Sequence, residues 1–171
     1  MRLAILLLLV FLPLSYAIAD LQRDEIVEKE DVRALFPLYQ QYNTQMSEAL
    51  FLERFELAKA AGLHLYKFSL KETGEIVGMV GLRNSADIYS GASKYMDSLV
   101  VSNAHRRKGY GSEIMQQVGA MAKAEGSECV WWTATSHNEA AGKFYLNAIE
   151  AHQDNGVIYW ATAESLADLV N

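Results

Sequence analysis

The chain has 171 residues, 51% of them apolar and only 2 of them proline, enough for one domain with a proper core and too apolar for disorder. Its formal net charge of −6 argues against a nucleic-acid partner, and the single cysteine, Cys129, excludes an internal disulfide. No Cys/His spacing suggests a metal site, and Cys129, on a strand between Glu128 and Val130, reads as a small buried hydrophobe.

Met1-Arg2 brings a positive start, an apolar run follows from Leu3 to Leu14, and Ala17-Ile18-Ala19 precedes Asp20. That order predicts a signal peptide over 1–19 and one folded domain over 20–171. The product would be secreted or periplasmic, with no membrane span left after cleavage. A start codon placed too early would make it cytoplasmic.

Residues 20–27 supply a first strand. Asp31 is the expected N-cap of a helix through Tyr42, with Val32, Leu35, Phe36 and Tyr39 on one face. Pro37 should kink that helix or shift its start. Ser47 is expected to cap a second helix reaching Ala61, which Gly62 ends. Leu63 to Leu70 and Glu75 to Arg83 read as a hairpin turning at Lys71-Glu72-Thr73-Gly74, and Asn84 to Ser93 as a loop. A strand from Tyr95 to Val101 then leads into Arg106-Arg107-Lys108-Gly109-Tyr110-Gly111-Ser112. The next helix carries Ile114, Met115, Val118 and Met121 at helical spacing and ends near Gly126. A strand over 128–134, a helix from Asn138 to about Asn147, a strand over 157–161 and a short tail helix complete the chain. This order predicts an α/β sheet with helices on both faces.

Strand, basic glycine loop and helix start make a phosphate cradle. Amides at a helix N-terminus carry partial positive charge, and glycines at 109 and 111 let an anion approach them. A P-loop is excluded because the lysine precedes the glycines. A dinucleotide fingerprint is excluded because Ile114 stands where its third glycine belongs. The remaining Arg-x-x-Gly-x-Gly pattern resembles motif A of the GNAT acetyltransferase superfamily. Asn138-Glu139-Ala140-Ala141-Gly142-Lys143-Phe144-Tyr145 resembles that family's motif B, and the likeness extends over about residues 64 to 147.

The resemblance implies a GNAT fold, with a mixed, mostly antiparallel sheet splayed at its central strands and acetyl-coenzyme A as co-substrate. The acetyl group would pass to an amine by direct attack, with no metal. Arg106, Arg107, Lys108, Gly109, Tyr110, Gly111 and Ser112 would hold the pyrophosphate. The amide of Leu99 would face the thioester carbonyl, and the amide of Val101 and the side chain of Asn138 would bind the pantetheine arm. Tyr145, close to the sulfur, would be the general acid. Asp97 would be a base or would position a cationic acceptor. Simple alternation puts it on one face with Leu99 and Val101, among apolar neighbours that suit a proton acceptor. Asn138 would also serve as an N-cap. Trp131 and Trp132 would point to opposite faces, one to the core and one to the cleft. His137 reads as an exposed loop residue, and His64, His105 and His152 form no constellation. Family members often place glycine in the turn after Phe-Tyr, where this chain has Ala148, so the acceptor pocket is expected to depart from the family pattern. A homodimer is compatible with this reading. The rival is an exported, catalytically inactive GNAT-fold binding module.

Overall fold

The computed structural model describes residues 21–88 and 91–153. The expected leader, the strand expected at 157–161 and the expected tail helix lie outside the described residues. The chain divides into two compact units, the first ending at Thr133 and the second beginning at Ala134.

In the first unit, five strands lie in the order of the sequence: β1 (Leu21–Ile26), β2 (Leu63–Leu70), β3 (Ile76–Asp87), β4 (Gly91–Val101) and β5 (Cys129–Trp132). β1 through β4 pair antiparallel, and β5 runs parallel to β4. The sheet is mixed and mostly antiparallel, as expected. Residues 84–87 and 91–93, expected in a loop, are strand, however. Asn84 pairs with Lys94, Ser85 with Ser93, Ala86 with Ala92 and Asp87 with Gly91, so the hairpin continues almost to its tip. Ala, Ser, Asp and Gly have poor strand propensity, but a long partner strand overrides it.

Helices α1 (Lys29–Gln40) and α2 (Glu48–Ala60) cover one face. α1 starts two residues before the expected cap at Asp31, with Glu28 as N-cap, and runs through Pro37. Glu30 and Asp31 fall in its first turn, where negative charge suits the helix dipole. At α2 the expectation holds: Ser47 Oγ accepts from the Leu50 amide at 3.3 Å, and Gly62 follows with φ +86°. Val32, Leu35 and Leu38 of α1 and Phe51, Leu52 and Phe55 of α2 form one core with Leu65, Met79 and Val100 of the sheet.

Helix α3 (Tyr110–Ala124) covers the opposite face with Ile114, Met115, Val118 and Met121, the apolar set expected for it. Its approach is close at Gly78, where a Cβ would meet Ile114 Cδ1 at 2.7 Å and the Val100 carbonyl oxygen at 2.9 Å. Because one of those neighbours is main chain, Gly78→Ala is expected to cost about 1–3 kcal/mol, the range for overpacking. Urea unfolding of the two chains would measure it, and an unchanged midpoint would refute the close approach.

Leu21, the first described residue, is held at both of its backbone groups by α3. The buried Glu113 carboxylate accepts from its amide at 2.7 Å, and Gln117 Nε2 donates to its carbonyl at 3.1 Å. At the other end of α3, the buried Lys94 donates to Glu125 at 2.7 Å and to Asn84 at 2.8 Å. Cys129 is exposed on β5, which corrects the expectation of a buried residue: the described β5 is short and partly open to solvent.

In the second unit, α4 (Glu139–Ala148) begins at Asn138, whose Oδ1 accepts from the Ala141 amide at 3.2 Å. The helix continues through Ala148, and the left-handed turn falls at Glu150, with φ +55°. Ala148 thus ends the helix in right-handed geometry, and the positive φ is taken by a non-glycine residue two positions on.

Candidate functional site

The site begins with an irregularity in β4. Gly81 of β3 faces Ser98, but Leu82 faces Met96, so Asp97 is an extra residue, a β-bulge. A Cβ on Gly81 would lie 3.0 Å from Ser98 Oγ and 3.5 Å from Asp97 Cβ, placing both residues on the Gly81 face. Leu99 pairs with Val80, the neighbour of Gly81, and so lies on the other face. The expectation that Asp97, Leu99 and Val101 share a face is therefore overturned, because the bulge shifts the alternation by one residue. Nor is Asp97 among apolar neighbours. Arg83 grips it with both prongs, Nε to Oδ2 at 2.6 Å and Nη2 to Oδ1 at 3.0 Å.

The bulge also marks where the sheet opens. β5 pairs with β4 from Ser93 to Met96 and ends at Trp132, whereas β4 continues to Val101. Beyond Met96, that edge of β4 has no strand beside it among the described residues. The β4–β5 pairing thus ends on the strand where the resemblance implies a splay. Leu99 and Val101, both half-buried, lie on the stretch with the open edge. Asp97 is exposed as a residue although its side chain is only 24% exposed, so its main chain faces solvent at the bulge.

After β4, a short 3-10 turn (Asn103–His105) leads into the basic loop. Arg106 Nε donates to the Val101 carbonyl at 3.0 Å, which folds the loop back onto the end of β4. Arg107 has φ +61° and Gly109 φ +89°. The left-handed region costs a non-glycine residue about 1–2 kcal/mol, so the Arg107 conformation is held by its surroundings. Gly109 is the N-cap of α3 and brings no side chain to the amides of the first turn. Those amides have no partner inside the helix. No atom lies within 4 Å of the position a Gly109 Cβ would take, and Arg106, Arg107 and Lys108 are exposed around it. Open space, uncapped amides and three cations fit a polyphosphate such as that of coenzyme A.

His105, which sequence reasoning left without a role, is the anchor of this loop. Its ring is buried, Nε2 faces Glu75 Oε1 at 2.8 Å, and the ring lies edge-on to Tyr110 at 5.6 Å. With a carboxylate as its partner Nε2 is the donor, and Nδ1 is buried with no hydrogen-bond partner among the described residues. The contact ties the hairpin turn before β3 to the entry of α3. Only tertiary structure joins Glu75 to His105, so no sequence spacing could have shown it.

On the α1/α2 face, Tyr39 packs on Phe51 at 4.7 Å and edge-on to Tyr42 at 5.9 Å. Burial first, and then the nearby Tyr42, push its phenol above the usual tyrosine range; Asp97 pushes in the same direction, while Asn43 and Arg54 oppose. Tyr95 and Trp131, paired across β4 and β5, pack with ring centroids 4.5 Å apart and planes tilted by 49°. Trp131 is more exposed than Trp132. In the second unit, Asn138 caps α4 as expected, and Tyr145 lies 5.3 Å from the Phe144 ring. Among the described residues no cluster of His, Cys, Asp and Glu could hold a metal ion.

Several solved structures share this architecture. An integron cassette protein of V. cholerae is 22% identical, with 88% of this chain and 97% of that one aligned at a TM-score of 0.68. Glucosamine-6-phosphate N-acetyltransferase from Arabidopsis thaliana is 17% identical, with coverage of 82% and 98% and a TM-score of 0.61. The aminoglycoside N-acetyltransferase AAC(6')-Iy, solved in complex with CoA, is 13% identical, with coverage of 84% and 95% and a TM-score of 0.69. At such identities the likeness is one of fold. No curated protein matches the sequence. The model of the acetyltransferase (GNAT) family does match, over residues 26–149, from the end of β1 to the end of α4. Since that span takes in the open β4 edge, the basic turn and the capped α4, the chain belongs to the acetyltransferase (GNAT) family.

Proposed function

We propose that the protein is an N-acetyltransferase that binds acetyl-coenzyme A and transfers its acetyl group to an amine by direct attack. The observation that carries this reading is the juxtaposition of a β4 edge unpaired among the described residues with an uncapped, basic helix start. A strand edge offers main-chain donors to the amide-bearing pantetheine arm, and the helix start offers donors to the pyrophosphate. In this reading Arg106, Arg107, Lys108 and the amides of Gly109 through Ser112 hold the phosphates. The Val101 amide and Asn138 hold the arm.

When bound, the co-substrate supplies an activated thioester. The Leu99 amide would stabilise the oxyanion that forms when the amine nitrogen attacks the carbonyl carbon. The carbon–sulfur bond then breaks, and Tyr145 is the proposed donor of a proton to the departing thiolate. Asp97 is proposed to meet the amine.

The leader is proposed to be removed after Ala19, so that the mature chain begins one residue before the anchored Leu21. Titration calorimetry of the chain from Asp20 with acetyl-coenzyme A tests the reading. Saturable one-to-one binding is expected, with acetylation of at least one member of an amine panel. Absence of binding heat would put the inactive binding module ahead.

A further inference from the structure

The Arg83–Asp97 pair has a consequence for the kind of amine this protein uses. Asp97 is the obvious proton acceptor beside the open edge, yet both of its oxygens already accept charge-assisted bonds from one guanidinium. Such bidentate pairs are the strong ones. Taking a proton on either oxygen would give up one of those bonds. The pair is not a loose surface contact either, since the side chains are only 24% and 38% exposed. It is also pinned at both ends: Asp97 by the bulge and Arg83 by its place in the β3 ladder, opposite Tyr95.

Glu25 and His64, which line a hollow with Arg83, are paired to each other at 2.7 Å, and the groups nearer Asp97 do not offer a better base. Tyr39 of α1 is held protonated by burial, and Arg54 of α2 adds positive charge. Tyr95, next along β4 on the same face, stacks on Trp131. The corner thus presents a carboxylate with both oxygens engaged, a further arginine and aromatic walls. An ammonium ion finds no uncommitted acceptor for its proton there, so the amine has to arrive already neutral.

We infer that Arg83 is a positioning residue that keeps both Asp97 oxygens engaged, so that the acceptor loses its proton to solvent and enters as the free base, which selects amines of low basicity such as the α-amine of a peptide. The inference rests on the acetyl-transfer reading above. In the step itself, the neutral nitrogen forms the new bond to the carbonyl carbon and becomes positively charged. Asp97 stabilises that charge without accepting the proton. The proton leaves to water, and the thiolate departs with the sulfur's electron pair. At pH 7 a peptide α-amine is about one-tenth free base, whereas a lysine side chain is roughly one part in 2,500.

The test is thiol release from acetyl-coenzyme A, followed against pH with two acceptors: a tripeptide with a free N-terminus and no lysine, and N-acetyl-lysine amide. For each, kcat/KM is expected to rise tenfold per pH unit and to level at the acceptor's own pKa, about 8 for the α-amine and about 10 for the side chain. At pH 7 the tripeptide should be favoured by at least tenfold. Asp97→Asn should lower kcat about tenfold or more while leaving both levelling points in place. Arg83→Met should free the carboxylate and add a limb common to both acceptors, and Arg83→Lys should restore the original profile. Profiles that level at one shared pH below 7 in the wild type, or that lose their limb in Asp97→Asn, would make Asp97 the base and overturn the inference. Coenzyme binding without transfer to any amine would instead defeat the acetyl-transfer reading itself.

Discussion

Gly109→Asp is expected to abolish coenzyme binding, weakening Kd by at least a hundredfold. Gly109 sits at the N-cap of α3 with φ +89° and open space where a side chain would go. An aspartate there places a carboxylate in the space proposed for the pyrophosphate and lets its oxygens cap the amides that would otherwise bind phosphate. Two like charges about 4 Å apart, at the effective dielectric of a protein surface, repel by about 4 kcal/mol. Screening by water on an exposed loop reduces that figure, and two to three decades in affinity remain. Gly109→Ala separates charge from conformation: it carries the cost of a left-handed alanine, about 1 kcal/mol, with no repulsion, and should lose less than tenfold. Calorimetry with acetyl-coenzyme A reads both variants. Wild-type affinity in Gly109→Asp would remove the phosphate assignment of the loop.

The local basicity that this variant would cancel is the one place where the acidic chain gathers cations in a row, and it was legible because a single continuous segment encodes it. The same holds for the helix ends at Ser47 and Asn138, where one side chain reaches an amide three residues on. What escaped the sequence is of another kind. Strict alternation placed Asp97 with Leu99, but a bulge depends on how β3 and β4 count past each other, which neither strand encodes alone. The partners Arg83, for Asp97, and Glu75, for His105, come from other strands or turns, and nothing in their spacing announces them. Residues 84–87 and 91–93 read as loop because they are small and polar, and they are strand because each run has the other to pair with. Local chemistry was readable, while the groups that orient it were set by the tertiary fold. Ala148 is intermediate: the departure from the family turn is visible in the sequence, and the left-handed residue after α4 is Glu150.

Tyr145→Phe is the second variant with a large expected effect, and it isolates the proton from the binding. A positioned general acid is worth about 10²–10⁴ in rate, so acetyl transfer in a single-turnover experiment should slow by roughly a hundredfold or more. Phenylalanine keeps the ring beside Phe144, leaves the carbonyl that accepts from Ala151 untouched and preserves the Asn138 cap, so α4 should fold as before. Coenzyme Kd should accordingly stay within about threefold, because none of the proposed phosphate donors is altered. Loss of affinity with unchanged turnover would make Tyr145 a binding residue, and wild-type values of both would retire it from the mechanism. A fall in rate alone is what a thiolate waiting for its proton predicts.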